Sequence, residues 1–181
     1  MKTVLAAGVA AAALVSAASA DVTVTFTNQT WTGFNFSDLT AAYGGFTGSL
    51  TGVSVNATLN ASVSFTYADD LCVYVDPAPL GTGGLLQVGG FSNLNATQRL
   101  TWSNGGSSAP GTTVIGTVNV NPIAFSGTSA DPIIWLGNGY GAAGTSGTWT
   151  GSITLIGVNA VPAPGAIALL GLAGLAGRRR R

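Results

Sequence analysis

Asp69, Asp70 and Asp76 lie within one eight-residue stretch and make up half of the acidic side chains in this 181-residue sequence. Carboxylates so placed suit two chemistries. A pair separated by about 5–10 Å can hydrolyse a glycosidic bond, one carboxyl acting as acid and the other as nucleophile or base. Alternatively, Asp69, Asp70, Asp76 and neighbouring loop carbonyls offer the hard oxygen ligands of an extracellular calcium site. The spacing resists both. Adjacent Asp69 and Asp70 would point to opposite faces of a strand and could not flank one bond. Asp70 could meet Asp76, or either could meet Asp131, only across loops. No D-x-D-x-D-G run is present, and Asp before Leu or Pro is an ordinary turn former. The expectation is a non-enzymatic protein without a cofactor, with calcium as the one ligand these Asp could hold.

Composition closes other routes. The sequence has no His, so it lacks a Ser-His-Asp or Cys-His site and any imidazole metal ligand. Its one Lys is Lys2, which leaves no P-loop or Schiff-base lysine in the body. Between residues 21 and 160 six Asp face Arg99 alone, a net charge of −5. Such a body cannot neutralise a nucleic-acid backbone. Cys72 is the lone cysteine, so no internal disulfide can form, and between Leu71 and Val73 it reads as a small buried hydrophobe. Trp31, Phe34, Phe36, Tyr43 and Phe46 cluster in a Gly-rich stretch, either as core filling or as rim aromatics that stack on sugar rings.

Strands must position these residues. From Val53 to Tyr67 every odd residue is apolar and every even one polar, the period of a half-buried strand, long enough to bend or bulge midway. Val22, Val24 and Phe26 alternate with threonines. Val114, Val118 and Val120 share a face with Gly116, as Trp149, Ile153 and Leu155 do with Gly151. Shorter runs stand at 71–75, 85–88, 99–102 and 133–136, separated by Gly44-Gly45, Asp76-Pro77, Gly83-Gly84, Asn104-Gly105-Gly106 and Asn138-Gly139. The pattern predicts an all-β fold over residues 21–160, one β-sandwich or jelly roll of about eight strands without a long helix.

The two ends carry addresses. Lys2, the apolar run from Val4 to Val15 and the small-x-small site Ala18-Ser19-Ala20 before Asp21 form a secretory signal helix over residues 1–20, implying export through the Sec machinery. At the other end, Val161-Pro162-Ala163-Pro164-Gly165 stops any strand. The apolar 166–177 follows as a short hydrophobic helix, then Arg178-Arg179-Arg180-Arg181 as a positive stop.

This order of proline motif, short Gly/Leu-rich helix and Arg cluster over 161–181 resembles the PEP-CTERM sorting tail of Gram-negative, exopolysaccharide-producing bacteria. The Glu usual between the prolines is Ala163 here. The resemblance implies an exosortase as processing partner and an inner-membrane intermediate. The endpoint would be the cell envelope or the extracellular matrix. Within the body, Asp69-Asp70-Leu71-Cys72-Val73-Tyr74-Val75-Asp76-Pro77 and Gly147-Thr148-Trp149-Thr150-Gly151 are similar to the strand-and-turn and closing-strand motifs of the P domain of subtilisin-like convertases. That resemblance covers about 47–158 and implies a jelly-roll module. The convertases' catalytic domain is absent, so no protease activity follows. Two functions are expected: a non-enzymatic exported protein of the envelope or matrix, or a carbohydrate-binding module for the cell's own exopolysaccharide.

Overall fold

β-Branched and aromatic residues at alternate positions, divided by glycine turns, give nine strands and almost no helix among the described residues. The computed structural model describes residues 21–76 and 83–161. The signal segment and residues 162–181 lie outside the described residues, and so do the helices expected in them. One sheet holds β1 (Val22–Thr32), β9 (Ser146–Ala160), β3 (Phe46–Val63) and β7 (Thr113–Ser126), in that order and antiparallel throughout. The other holds β2 (Phe36–Asp38), β8 (Ile133–Asn138), β4 (Leu71–Asp76), β5 (Leu86–Val88) and β6 (Gln98–Leu100), in which only β5 and β6 run parallel. The inner faces share one core, with Val53, Val55, Leu59, Trp149 and Ile153 from the first sheet against Leu71, Val73, Leu86 and Ile134 from the second. This is an all-β sandwich.

The outer face of the first sheet is a field of hydroxyls. Thr23 pairs with Thr154 at 2.9 Å, Thr30 with Thr148 at 2.7 Å and Thr58 with Thr113 at 3.0 Å across neighbouring strands. These cross-strand bonds let a face without charged side chains stay wet. The second sheet is different, because its outer face is roofed. Cys72 and Tyr74 of β4 lie there, wholly buried, beside Phe36 of β2 and Trp135 of β8 and packed against Leu94 and Ala96. The roof is held by Gln87, itself fully buried, whose amide donates to the Gly89 and Ser92 carbonyls and accepts from the Leu94 N–H. The lone thiol is thus a buried apolar filler, as its neighbours suggested, and desolvation pushes its pKa far up.

The one α-helix among the described residues, α1 (Leu39–Tyr43), is a little over a turn long, capped by the Asp38 carboxylate on the Ala41 N–H at 2.8 Å and closed by Gly44 at φ +75°. Asp38 needs no other role.

The long alternation of Val53 to Tyr67 is only half realised. Val53, Val55, Ala57 and Leu59 are buried, but Val63, Phe65 and Tyr67 face solvent while Thr66 and Ala68 are buried. A bulge shifts the pairing with β9 between Leu59 and Ala61, and one extra residue turns every later side chain to the other face. Ser64 and Phe65 then leave the sheet altogether, with φ of +54° and +62°.

Candidate functional site

Phe65 is a bulky residue in left-handed backbone, a conformation that costs of order 1–3 kcal/mol and collects at ligand-binding segments. Two bonds hold the strained turn, Ser62 Oγ to the Thr66 carbonyl at 2.7 Å and Thr66 Oγ1 to the Val63 carbonyl at 3.1 Å. The ring it presents is 76% exposed, and Phe91 is 74% exposed. Of the six exposed large hydrophobic side chains among the described residues, three (Phe65, Tyr67 and Phe91) line one open groove of about 620 Å³. Scattered apolar residues on a surface carry no message, but convergence on one concavity does.

The groove lies at one end of the sandwich, where three connections meet. The β3–β4 connection brings Phe65, Tyr67, Asp69 and Asp70; the turn after β5 brings Gly89, Gly90 and Phe91; Tyr140 follows β8. Phe91 and Tyr140 pack edge to face, with ring centroids 5.6 Å apart. Trp102 joins the lining from a buried position, its indole N–H donating to the Leu71 carbonyl at 2.7 Å. Gly89 and Gly90 sit at φ +76° and +79°. A Cβ on Gly89 would collide with the Trp102 indole and the Leu71 carbonyl, and one on Gly90 would come within 2.8 Å of the Gly139 Cα. Only glycine fits this junction.

Asp69 and Asp70 are the clasp of the groove. They occupy a one-turn 3-10 helix (Ala68–Asp70), and both line the same groove. The strand geometry expected for them, which would have sent them to opposite faces, is therefore corrected. The cause is a reciprocal cap, in which Asp70 Oδ2 accepts from the Tyr67 N–H at 2.7 Å and coils the segment before β4 begins. Asp70 Oδ1 accepts from the Phe91 N–H at 2.9 Å. The backbone carbonyls of Asp69 and Asp70 accept from Gly90 at 2.9 Å and Gly139 at 2.7 Å. One dipeptide thus ties all three connections together. Across the groove Arg99, the only cationic side chain among the described residues, donates through Nη2 to the Phe91 carbonyl at 2.8 Å.

Hydrolysis by this pair is disfavoured by how the oxygens are used. A general acid must present its proton to the substrate. Asp70 is 4% exposed, and each of its oxygens holds a backbone N–H. Burial pushes its pKa from the ordinary 3.8 up to about 6, against the pull of the Tyr67 and Phe91 N–H groups and with a push from the Asp69 charge. Burial raises Asp69 as well, opposed by its own backbone N–H. Asp69 alone presents a carboxylate to a ligand.

The remaining calcium candidate is elsewhere. Asp76 closes β4, roughly 20 Å along the strand from Asp70 at 3.3 Å per residue, and hydrogen-bonds with Tyr74. Among the described residues no three acidic or thiol side chains converge as a metal site would require. Asp131 caps the turn after β7, taking the Ser126 hydroxyl at 2.7 Å and the N–H groups of Ser126, Gly127 and Thr128. Desolvation would raise its pKa, but these hydrogen bonds outweigh it and hold the carboxyl low.

Of the end motifs, two residues are described. Asp21 Oδ1 accepts from the Gly157 N–H at 3.0 Å, and the Val161 N–H donates to the Gly45 carbonyl at 3.0 Å. Ala18, Ala20, Pro162, Ala163, Pro164, Gly165 and Arg178 to Arg181 lie outside the described residues. The aromatic cluster singled out in the sequence is mostly core. Trp31, Phe36 and Phe46 are buried, Tyr43 packs against Phe46, and only Phe34 is largely exposed.

The raised pKa of Asp70 has a measurable consequence. The folded chain binds this proton more tightly than the unfolded chain, so stability falls as pH rises from about 4 through about 6. Asp69 acts in the same sense, and Asp131 in the opposite sense at lower pH. Asp70→Asn should flatten the pH dependence of urea unfolding between about pH 4 and 6. An unchanged slope would remove Asp70 from this role.

Family models, curated proteins and solved structures were compared with the chain, and none of the three yields a match.

Proposed function

We propose that this chain is an exported, non-enzymatic protein of the cell envelope or extracellular matrix whose β-sandwich binds carbohydrate. The observation that carries the carbohydrate reading is the groove in which Phe65, Tyr67 and Phe91 stand exposed beside Asp69 and Arg99. Apolar ring faces suit the C–H faces of pyranoses, and charged groups at the rim suit hydroxyls. The backbone that carries these aromatics is fixed, by the turn at Phe65 and by the Asp70 clasp at Phe91, which lowers the ordering cost of binding.

Delivery rests on the ends. The signal over 1–20 would send the chain through Sec, and an exosortase would read the 161–181 tail from an inner-membrane intermediate. The strand orders β1-β9-β3-β7 and β2-β8-β4-β5 are those of a jelly roll with β6 added, which supports a jelly-roll reading of the whole body; two of its strands, β1 and β2, precede the stretch of about 47–158 that resembles the P domain. The cell's own exopolysaccharide is then the ligand met first.

The test is co-sedimentation of the purified protein with polysaccharide extracted from the producing cells. Wild type should be retained and the Phe65→Ala/Phe91→Ala double variant lost to the supernatant, with no reducing ends released by either. Retention unaffected by the double substitution would end the groove reading, and steady release of reducing ends would end the non-enzymatic one.

A further inference from the structure

We propose that the groove selects a neutral hexopyranose chain over one that carries uronate or amino groups, with Phe65 and Phe91 as stacking faces and Asp69 and Arg99 as paired grips on the sugar hydroxyls. This deepens the carbohydrate reading and rests on it.

Charge decides against uronates. The stretch from 21 to 161 carries six Asp and one Arg, net −5, so an anionic polymer approaches against the field. Inside the groove, Asp69 and Asp70 line the same space as Arg99. A uronate carboxylate seated there would lose water beside two carboxylates, and a single guanidinium would have to compensate. That guanidinium already spends one of its five N–H donors on the Phe91 carbonyl.

The same set does not read as an ammonium site. The field that opposes a uronate draws an amine toward the groove, but inside it Asp70 keeps both oxygens on backbone N–H groups, so Asp69 is the one carboxylate left to receive it. Arg99 stands in the same groove to repel it. What the lining fits is a ligand that donates to Asp69 and accepts from Arg99, and the several hydroxyls of a hexopyranose do both without charge. The aromatic walls supply the rest of the contact without charge. A volume of about 620 Å³ is within the usual range for small-ligand sites, and the open rim lets a chain continue past the groove.

The experiment is a glycan array probed with the full exported protein. It carries neutral gluco-, galacto- and mannopyranose oligomers beside uronate and glucosamine oligomers, and hits are titrated by calorimetry at low and high salt. Neutral oligomers should bind best, with affinity nearly independent of salt. Phe91→Ala should weaken binding about tenfold or more, as loss of an aromatic anchor does. Asp69→Asn and Arg99→Gln should each weaken it severalfold. Because these three side chains are at least partly solvent-facing, thermal unfolding of each variant is expected to match wild type and exclude a folding defect. Best binding to uronate or glucosamine oligomers, lost in Phe91→Ala, would overturn neutral selectivity and leave the carbohydrate reading standing. Silence across the whole array would overturn both.

Discussion

Trp149→Ala is expected to lower the free energy of unfolding by about 3–5 kcal/mol, the range for truncating a buried Trp. Trp149 is wholly buried near the start of β9, between the two sheets. Its ring lies 5.9 Å from Trp31, centroid to centroid, and covers Gly147, where a Cβ would collide with it. Truncation therefore opens a cavity that no neighbour on a regular strand can fill. A second loss adds to the first, because the indole N–H donates to the carbonyl of buried Ala68 at 3.1 Å. Ala68 begins the one-turn helix of Asp69 and Asp70, so the damage reaches the groove. Trp149→Phe separates the effects, keeping most of the volume while leaving the Ala68 carbonyl without its donor. Denaturant unfolding should rank wild type above Phe and Phe above Ala. A domain whose total stability is about 5–15 kcal/mol would lose a large share of it. A change below about 1 kcal/mol for Ala would mean that the core closes around the gap, against the packing described.

The core was legible in the sequence wherever period and pairing agreed. Val53 to Leu59 alternate because β3 is flanked on both sides by strands in steady register. Past Leu59 the letters keep alternating, yet the bulge has turned the chain over, and Val63, Phe65 and Tyr67 arrive on the solvent side. The length of the run predicts a bulge, but the periodicity cannot place it, since the extra residue sits in the pairing and not in the pattern. The end of that alternation is where the groove begins. Its other walls were illegible for a different reason: Asp70, Phe91 and Tyr140 are far apart in sequence and meet only because β4, β5 and β8 are neighbours in one sheet. The local signal that could have drawn attention to them is an aromatic set against glycines outside any apolar period, Gly89-Gly90-Phe91 and Gly139-Tyr140-Gly141. Glycines there allow the close loop contact, and an aromatic without a strand partner is free to face a ligand.

Replacing Arg178 to Arg181 with Ser should abolish processing and shift the protein away from its final location, the largest change expected of any substitution in the chain. On the sorting reading, the apolar 166–177 enters the inner membrane after Sec export of the body, and the four Arg resist following it. Each Arg at the bilayer centre costs roughly 2.5–3.5 kcal/mol on insertion scales. Four in a row sum to about 10–14 kcal/mol, ample to halt translocation with the Val161-Pro162-Ala163-Pro164-Gly165 motif at the outer boundary. Serines cost far less and lack the positive-inside bias, so the tail would slip through before a membrane protease could act. The described lining of the groove runs from Phe65 to Tyr140, so none of the replaced positions belongs to it. Glycan binding by the purified variant is therefore expected to equal wild type while its cell fraction changes. Two variants thus part the two halves of the proposal: Phe91→Ala should weaken ligand binding and keep the address, and the four-Ser variant should keep the ligand and lose the address. Unchanged processing and location of the four-Ser variant, in a strain whose exosortase is intact, would reduce the tail to a simple anchor and leave the β-sandwich to account for function alone.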